Sequence, residues 1–250
     1  MKKSYHFLIE NILLKFPKFS KRLQNYLIRN EFGQFINLLY KKKINIKNVY
    51  DIGAHHGDWS NFYRKTSLKR CNFFLFEANK ANKEIIEKKN FKVFIDILSD
   101  KKKVVNFYNN NNSSGDSYYI ENTKNHQRLS PTKIKATTLN HLVKKNYLPM
   151  PDLIKIDTQG SELDILKGSS KVLKNCKILY LECPISSKFN LNGKNILDYI
   201  KYLHSLDFLP HLIHQNVFYQ NYLVQADIMF IRKNLFSKIG LSPKLLKNLF

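Results

Sequence analysis

Twice in this chain an apolar run ends on an acid, turns on a glycine and passes into a helical pattern. Val49-Tyr50-Asp51-Ile52-Gly53-Ala54-His55-His56-Gly57-Asp58-Trp59 does so first. About a hundred residues later Asp152-Leu153-Ile154-Lys155-Ile156-Asp157-Thr158-Gln159-Gly160-Ser161-Glu162 does the same and runs on to Gly168. An apolar strand that hands over through glycine to a 3.6-residue period marks a strand-to-helix connection. Two such units point to an open α/β sheet, in which ligands bind at the carboxyl ends of the strands.

The remaining elements follow from the same patterns. Strands are expected at 48–52, 72–77, 91–97, 153–157 and 178–182, with a closing antiparallel pair at 208–219 and 225–232 and a further short strand at 104–108. Their near-continuous apolar character suits a sheet covered by helices on both faces. Helices are expected at 58–65, 80–89, 138–145, from Ser161 onward, and at 193–205. Ser161 and Asp164 have the spacing of a capping box, and Leu163, Leu166, Ser170 and Leu173 fall on one helical face. Segment 109–116, rich in Asn and Ser, has no periodicity and reads as a loop. The chain thus divides into a basic helical extension (1–45), an α/β domain (46–233) and a basic tail (234–250).

The 250 residues carry a net charge of +23, from 36 Lys but only 6 Arg. Close readers of phosphates and bases favour Arg, whose fork pairs with two oxygens at once. A lysine excess spread along the length reads first as a solvated surface. An anionic partner, such as a membrane surface or an acidic glycan, is the alternative. The basic helices within 4–43 read either as a cap on the core or as an amphipathic segment on an anionic membrane. Cys71, Cys176 and Cys183 show no metal or paired spacing, which suits a reduced, cytoplasmic compartment with peripheral contact at the inner membrane face as the variant. No run of about 18 apolar residues is present, so no membrane-spanning helix is expected.

The first glycine loop is G-x-x-x-G, with His55 where a dinucleotide-binding loop has its middle glycine. That disfavours a pyrophosphate and suits a nucleoside without one, its amino-acid end held by strand-end backbone and by Asp51. Glu77, at the end of the second strand, is placed to accept hydrogen bonds from both ribose hydroxyls. Together these tip the balance from NAD to S-adenosylmethionine. Lys155 and Asp157, two apart on one strand, lie on the same side. A lysine there is costly to bury unless paired with Asp157 or Glu182; the alternative is a lysine that reaches to water from the strand's edge.

These segments, with Phe76-Glu77-Ala78-Asn79, Thr137-Thr138-Leu139-Asn140 and Gln225-Ala226-Asp227-Ile228-Met229-Phe230-Ile231-Arg232, resemble the FkbM family of methyltransferases in order and spacing over residues 46–233. The resemblance implies a Rossmann-like class I methyltransferase fold: a mostly parallel seven-stranded sheet with an antiparallel last strand, helices on both faces and a helical N-terminal extension. It implies an S-adenosylmethionine-dependent O-methyltransferase acting on hydroxyls of sugars, surface glycans or related natural products. Carried over by position, Asp51, Gly53, Ala54 and Gly57 line the methionine end of the cofactor and Glu77 binds the ribose. Asp96 and Ile97, with Leu98, lie near the adenine. Asp157, Glu162 and Lys155 sit beside the substrate. His55-His56 and Gln159 depart from the residues common in the family.

The expected general base is Asp157, with His55 and His56 as second candidates, a histidine being better matched to neutral pH. Asp157 and Glu162 could offer oxygen ligands to Mg²⁺, but two acids do not make a cage, and no metal is expected. The rival enzyme reading, a nucleic-acid methyltransferase, is favoured by charge. It lacks the Asn-Pro-Pro-Tyr motif, and Cys183-Pro184 is in reverse order for attack on a pyrimidine. A non-catalytic scaffold docked on a membrane glycan assembly is the third reading. Loops 109–135 and 183–195 are expected to contact a small-molecule or glycan acceptor, and no specific nucleic-acid partner is expected.

Overall fold

The computed structural model describes residues 30–109, 115–120, 130–185 and 193–240. The expected helix within 4–16, parts of both expected acceptor loops and most of the C-terminal tail lie outside the described residues. The fold is built on a seven-stranded sheet in the order β3-β2-β1-β7-β8-β10-β9. Its strands are β1 (Asn48–Ile52), β2 (Asn72–Glu77), β3 (Lys92–Ile95), β7 (Leu153–Ile156), β8 (Ile178–Pro184), β9 (Phe208–Tyr219) and β10 (Tyr222–Arg232). The strand β10 runs antiparallel to both β8 and β9; the other pairings described in this sheet are parallel. The strand order reverses between β1 and β7, the switch point at which such sheets open a ligand crevice.

The strands β7 and β8 at the centre are buried along their whole length, including Lys155 and Glu182. One face of the sheet is covered by α4 (Leu139–Lys145), α5 (Glu162–Lys167), α6 (Ser170–Leu173) and α7 (Ile196–His204), through Leu142, Leu166, Leu173 and Tyr199. The other face packs against α1 (30–41), α2 (Asp58–Lys65), α3 (Lys83–Lys88, preceded by a 3₁₀ turn at Lys80–Asn82) and α8 (Lys233–Ile239). There Phe32, Ile36, Leu39, Tyr63, Ile86 and Leu235 are buried. Each such side chain contributes roughly 1.5–3 kcal/mol of transfer free energy. The described part of the N-terminal extension is therefore core-forming, and the start of the expected tail is the helix α8. Among the described residues no helix is long and apolar enough to cross a membrane.

Three local readings change. The expected strand 91–97 divides: β3 stays in the main sheet, while β4 (Ile97–Leu98) joins β5 (Lys103–Phe107) and β6 (Thr132–Thr137) in a small sheet ordered β4-β6-β5. The strand β6 was not expected. The helix after β7 breaks into α5 and α6 around Gly168, where a Cβ would come within 2.1 Å of the Ser99 carbonyl oxygen. Ser161 makes no cap bond; its hydroxyl turns back to Thr158. A capping box does form at Asn195 and Asp198, ahead of α7.

Candidate active site

A cleft lies over the carboxyl ends of β1, β2 and β7. The turns after β1 and β7 close against each other to make its floor. Gly53 adopts φ +72°, and a Cβ there would sit 1.9 Å from the Asp157 carbonyl oxygen, so only glycine fits. The Gly53 and Ala54 N–H groups both donate to the Phe76 carbonyl, which fastens the loop to β2. Gly57 and Ala54 are buried beneath the loop; Gly57 packs on Leu75 and shapes the turn without lining the cleft.

Glu77 lines the cleft and accepts the His55 N–H at 2.7 Å and the Asn79 N–H at 2.8 Å. Burial raises the proton affinity of its carboxyl, and the two backbone donors oppose that rise. A carboxylate has about four lone-pair sites, so both oxygens retain capacity toward a diol. Asp96 and Ile97 line the far end with Leu98, Phe107 and Tyr118. Asn82 and Ser161 also line the cleft, and neither was expected; Asp116 and Tyr118 belong to the loop 109–135 expected to contact the acceptor, and Asp116 joins the wall through its bond from the Asn79 amide.

At the other end an ion-pair cluster holds the catalytic candidates. Lys155 Nζ is buried 3.3 Å from Asp51 Oδ1, 3.2 Å from Asp157 Oδ2 and 3.3 Å from the Gly53 carbonyl oxygen. Burial alone would weaken its hold on the proton; Asp157 and Asp51 more than reverse this and keep the ammonium above the usual lysine value. The lysine thus pairs with Asp157, one of the two expected partners, and also with Asp51. Asp51 is fully buried, accepts from the Ser60 hydroxyl at 2.7 Å and does not line the cleft. Asp157 is 38% exposed, faces the cleft, and accepts from the Gln159 amide at 3.1 Å.

Two expected substrate contacts are placed otherwise, for a physical reason. Glu162 has no exposed surface; its carboxylate takes the N–H groups of Thr158 and Gly160, the Thr158 hydroxyl and, at 2.8 Å, the Tyr199 hydroxyl. It holds the turn after β7, in which Gln159 and Gly160 both have positive φ. Lys155 likewise has its charge consumed by two acids. Of the histidines, His55 lines the cleft and His56 stacks on it at 3.8 Å without lining it. Burial, then the neighbouring His56, lower the pKa of His55.

The cleft fits S-adenosylmethionine. It has a glycine floor where a side chain would intrude, an acid with spare acceptor capacity at the end of β2, an apolar slot beyond it and, among the described residues, no glycine-lined pyrophosphate loop. Solved structures with related architecture include an FkbM methyltransferase from Methylobacillus flagellatus (15% identity, TM-score 0.48, covering 74% of this chain and 43% of that one). Others are TrmK of M. capricolum bound to S-adenosylhomocysteine (12% identity, TM-score 0.44, 78% and 67%) and a precorrin-6y C5,15-methyltransferase from Geobacter metallireducens (13% identity, TM-score 0.43, 78% and 85%). This chain spans less than half the length of the Methylobacillus protein. No curated protein matches it in sequence. Residues 51–210 match the model of the methyltransferase FkbM domain, a stretch that contains the floor, Glu77 and the Lys155 cluster. The chain belongs to the FkbM methyltransferase family, and its cofactor is S-adenosylmethionine.

Proposed function

We propose that the protein methylates a hydroxyl oxygen on a sugar, a surface glycan or a related natural product. The observation that carries this reading is the placement of Asp157: a carboxylate at the mouth of the cleft, fixed from two sides by Lys155 and Gln159. The cofactor supplies a methyl group on a sulfonium, already activated for transfer. What the chain must supply is alignment, which can be worth about 7–11 kcal/mol, and a place for the hydroxyl proton, worth roughly 10²–10⁴-fold. Gly53 and the backbone around it hold the methionine end, Glu77 the ribose, and Ile97 and Leu98 the adenine. Asp157 accepts the hydrogen bond of the acceptor hydroxyl and takes its proton.

Asp157→Asn tests this. The amide keeps the shape and one acceptor oxygen but cannot hold the proton. Turnover of purified protein with S-adenosylmethionine and a panel of deoxysugar and glycan acceptors is expected to fall at least 10²-fold, with S-adenosylhomocysteine still bound. Wild-type turnover in the variant removes Asp157 as the base. A nucleic-acid acceptor, which the +23 charge favours, predicts instead RNA binding that weakens steeply with salt.

A further inference from the structure

Asp164, on α5, has the capping-box spacing from Ser161, yet no cap bond forms there. Its carboxylate instead collects side chains from across the cleft. Tyr118 and Tyr119 both donate their hydroxyls to Asp164 Oδ2 at 3.2 Å. Lys103 Nζ stands 3.6 Å from the same oxygen and 5.7 Å over the Tyr118 ring. The Tyr118 hydroxyl also lies 3.1 Å from the hydroxyl of Ser99, which is fully buried. Burial, then the Asp164 charge, raise both phenols above the ordinary tyrosine value, so both remain hydrogen-bond donors through the neutral range.

These two tyrosines belong to a short segment, 115–120, that crosses the cofactor cleft. On the β2 side Asp116 accepts from the Asn79 amide at 2.8 Å, and the Asn79 N–H is itself bound to Glu77. In the middle Ser117 is buried. Its backbone pairs with Tyr108 in both directions, at 2.8 and 3.2 Å, and its hydroxyl donates to the Thr158 carbonyl at 3.0 Å. The Tyr119 N–H returns to that hydroxyl oxygen at 3.0 Å. The segment therefore ties together the ends of β2 and β5, the turn after β7 that carries Asp157, and α5. Asp116 and Tyr118 line the cleft, and Tyr118 packs against the cluster of Ile97 and Phe107. The attachments differ in kind. Ser117 is anchored by paired backbone, whereas Tyr118 and Tyr119 hang by their hydroxyls on one carboxylate that is 15% exposed. Bonds of that second kind, few and within reach of water, are the first to give in local opening.

We propose that residues 115–120 form a strap over the bound cofactor, latched to Asp164 by Tyr118 and Tyr119, and that release of this latch gates the entry and exit of S-adenosylmethionine and its product. Ser117, through the Thr158 carbonyl, makes the closed strap a brace for the turn that presents Asp157. The gate acts on the cofactor and is independent of which acceptor is methylated.

Tyr119 does not line the cleft, so Tyr119→Phe weakens the latch without touching the cofactor. Surface plasmon resonance on the immobilised full chain reads the association and dissociation rates of S-adenosylhomocysteine. Loss of one hydrogen bond to a carboxylate is expected to raise both rates about tenfold, so that the dissociation constant moves by no more than about threefold. A residue that only supports the bound ligand would raise dissociation alone. Asp164→Ala frees both hydroxyls and accelerates both rates further, and adding Tyr119→Phe to it changes nothing more. In hydrogen exchange, saturating S-adenosylhomocysteine slows the Ser117 and Tyr119 amides of wild type by about tenfold or more. The gate is overturned if dissociation changes alone, if neither rate changes in either variant, or if the ligand leaves exchange of these amides unaltered. If folded wild type does not bind the ligand, the strap has nothing to retain and falls with the cofactor site.

Discussion

Replacing Lys155 by methionine probes the feature on which the reaction end of the cleft depends. The lysine is almost fully buried between Asp51 and Asp157. Methionine preserves the stem and deletes the charge, leaving Asp51 fully buried with, among the described residues, the Ser60 hydroxyl as its remaining close hydrogen-bonding partner. Removing one partner of a buried ion pair typically costs about 3–5 kcal/mol, against a total stability of about 5–15 kcal/mol for a domain. With a urea slope of about 1–3 kcal/mol/M, the unfolding midpoint drops by roughly 1–5 M. The folded ammonium is held above the usual lysine value, so its contribution is complete below the unfolded pKa and is lost only as pH rises through the folded one. Measurements at pH 7 to 8 therefore see all of it. The double variant Lys155→Met, Asp51→Asn removes both charges and is expected to recover at least 1 kcal/mol relative to Lys155→Met alone. A single-variant loss under about 1 kcal/mol, or a double variant no better than the sum of its parts, would refute the assignment of this cluster as a coupled buried pair.

Two further predictions concern neighbouring acids. Glu162→Gln leaves the N–H groups of Thr158 and Gly160 competing for a single acceptor oxygen, and is expected to cost about 1–3 kcal/mol by chemical denaturation; an unchanged midpoint would show that the turn does not need the carboxylate. Asp227 is raised to about 7 in the folded state, so its contribution to stability is full below the unfolded carboxyl pKa and is lost as pH rises through about 7. Asp227→Asn should thus flatten the pH dependence between about 4 and 7 and stabilise the protein at pH 8 by roughly 1–4 kcal/mol; equal pH profiles for the two proteins would contradict this.

The parts of the fold that were legible in sequence are those where one local pattern settles the outcome. Val49 to Trp59 and Leu153 to Glu162 carry strand, turn and helix within a dozen residues, and the acid ending β2 falls at a spacing that the crevice requires. The strand β6 was missed because Thr132-Lys133-Ile134-Lys135-Ala136-Thr137 alternates weakly, with only Ala136 buried. Its partner β4 is only two residues long, though both are buried, and β5 is half-exposed, so no long apolar run announces the small sheet. The role of Glu162 was misjudged because its sequence position, at the mouth of the crevice, is correct; what sequence does not show is that its side chain turns inward to the strained turn and Tyr199. The latch on Asp164 was out of reach for another reason: Tyr118 and Tyr119 stand 46 and 45 residues away and meet it only in the folded chain.

One titration tests the cofactor cleft at the ends of β1, β2 and β7 most directly. Wild-type protein titrated calorimetrically with S-adenosylhomocysteine is expected to bind with micromolar affinity. Glu77→Ala, which removes the acid at the end of β2, should lose most of that binding, and NAD should not bind either protein. Tight binding of NAD, or S-adenosylhomocysteine affinity indifferent to Glu77 in a well-folded sample, would contradict the assignment of this cleft.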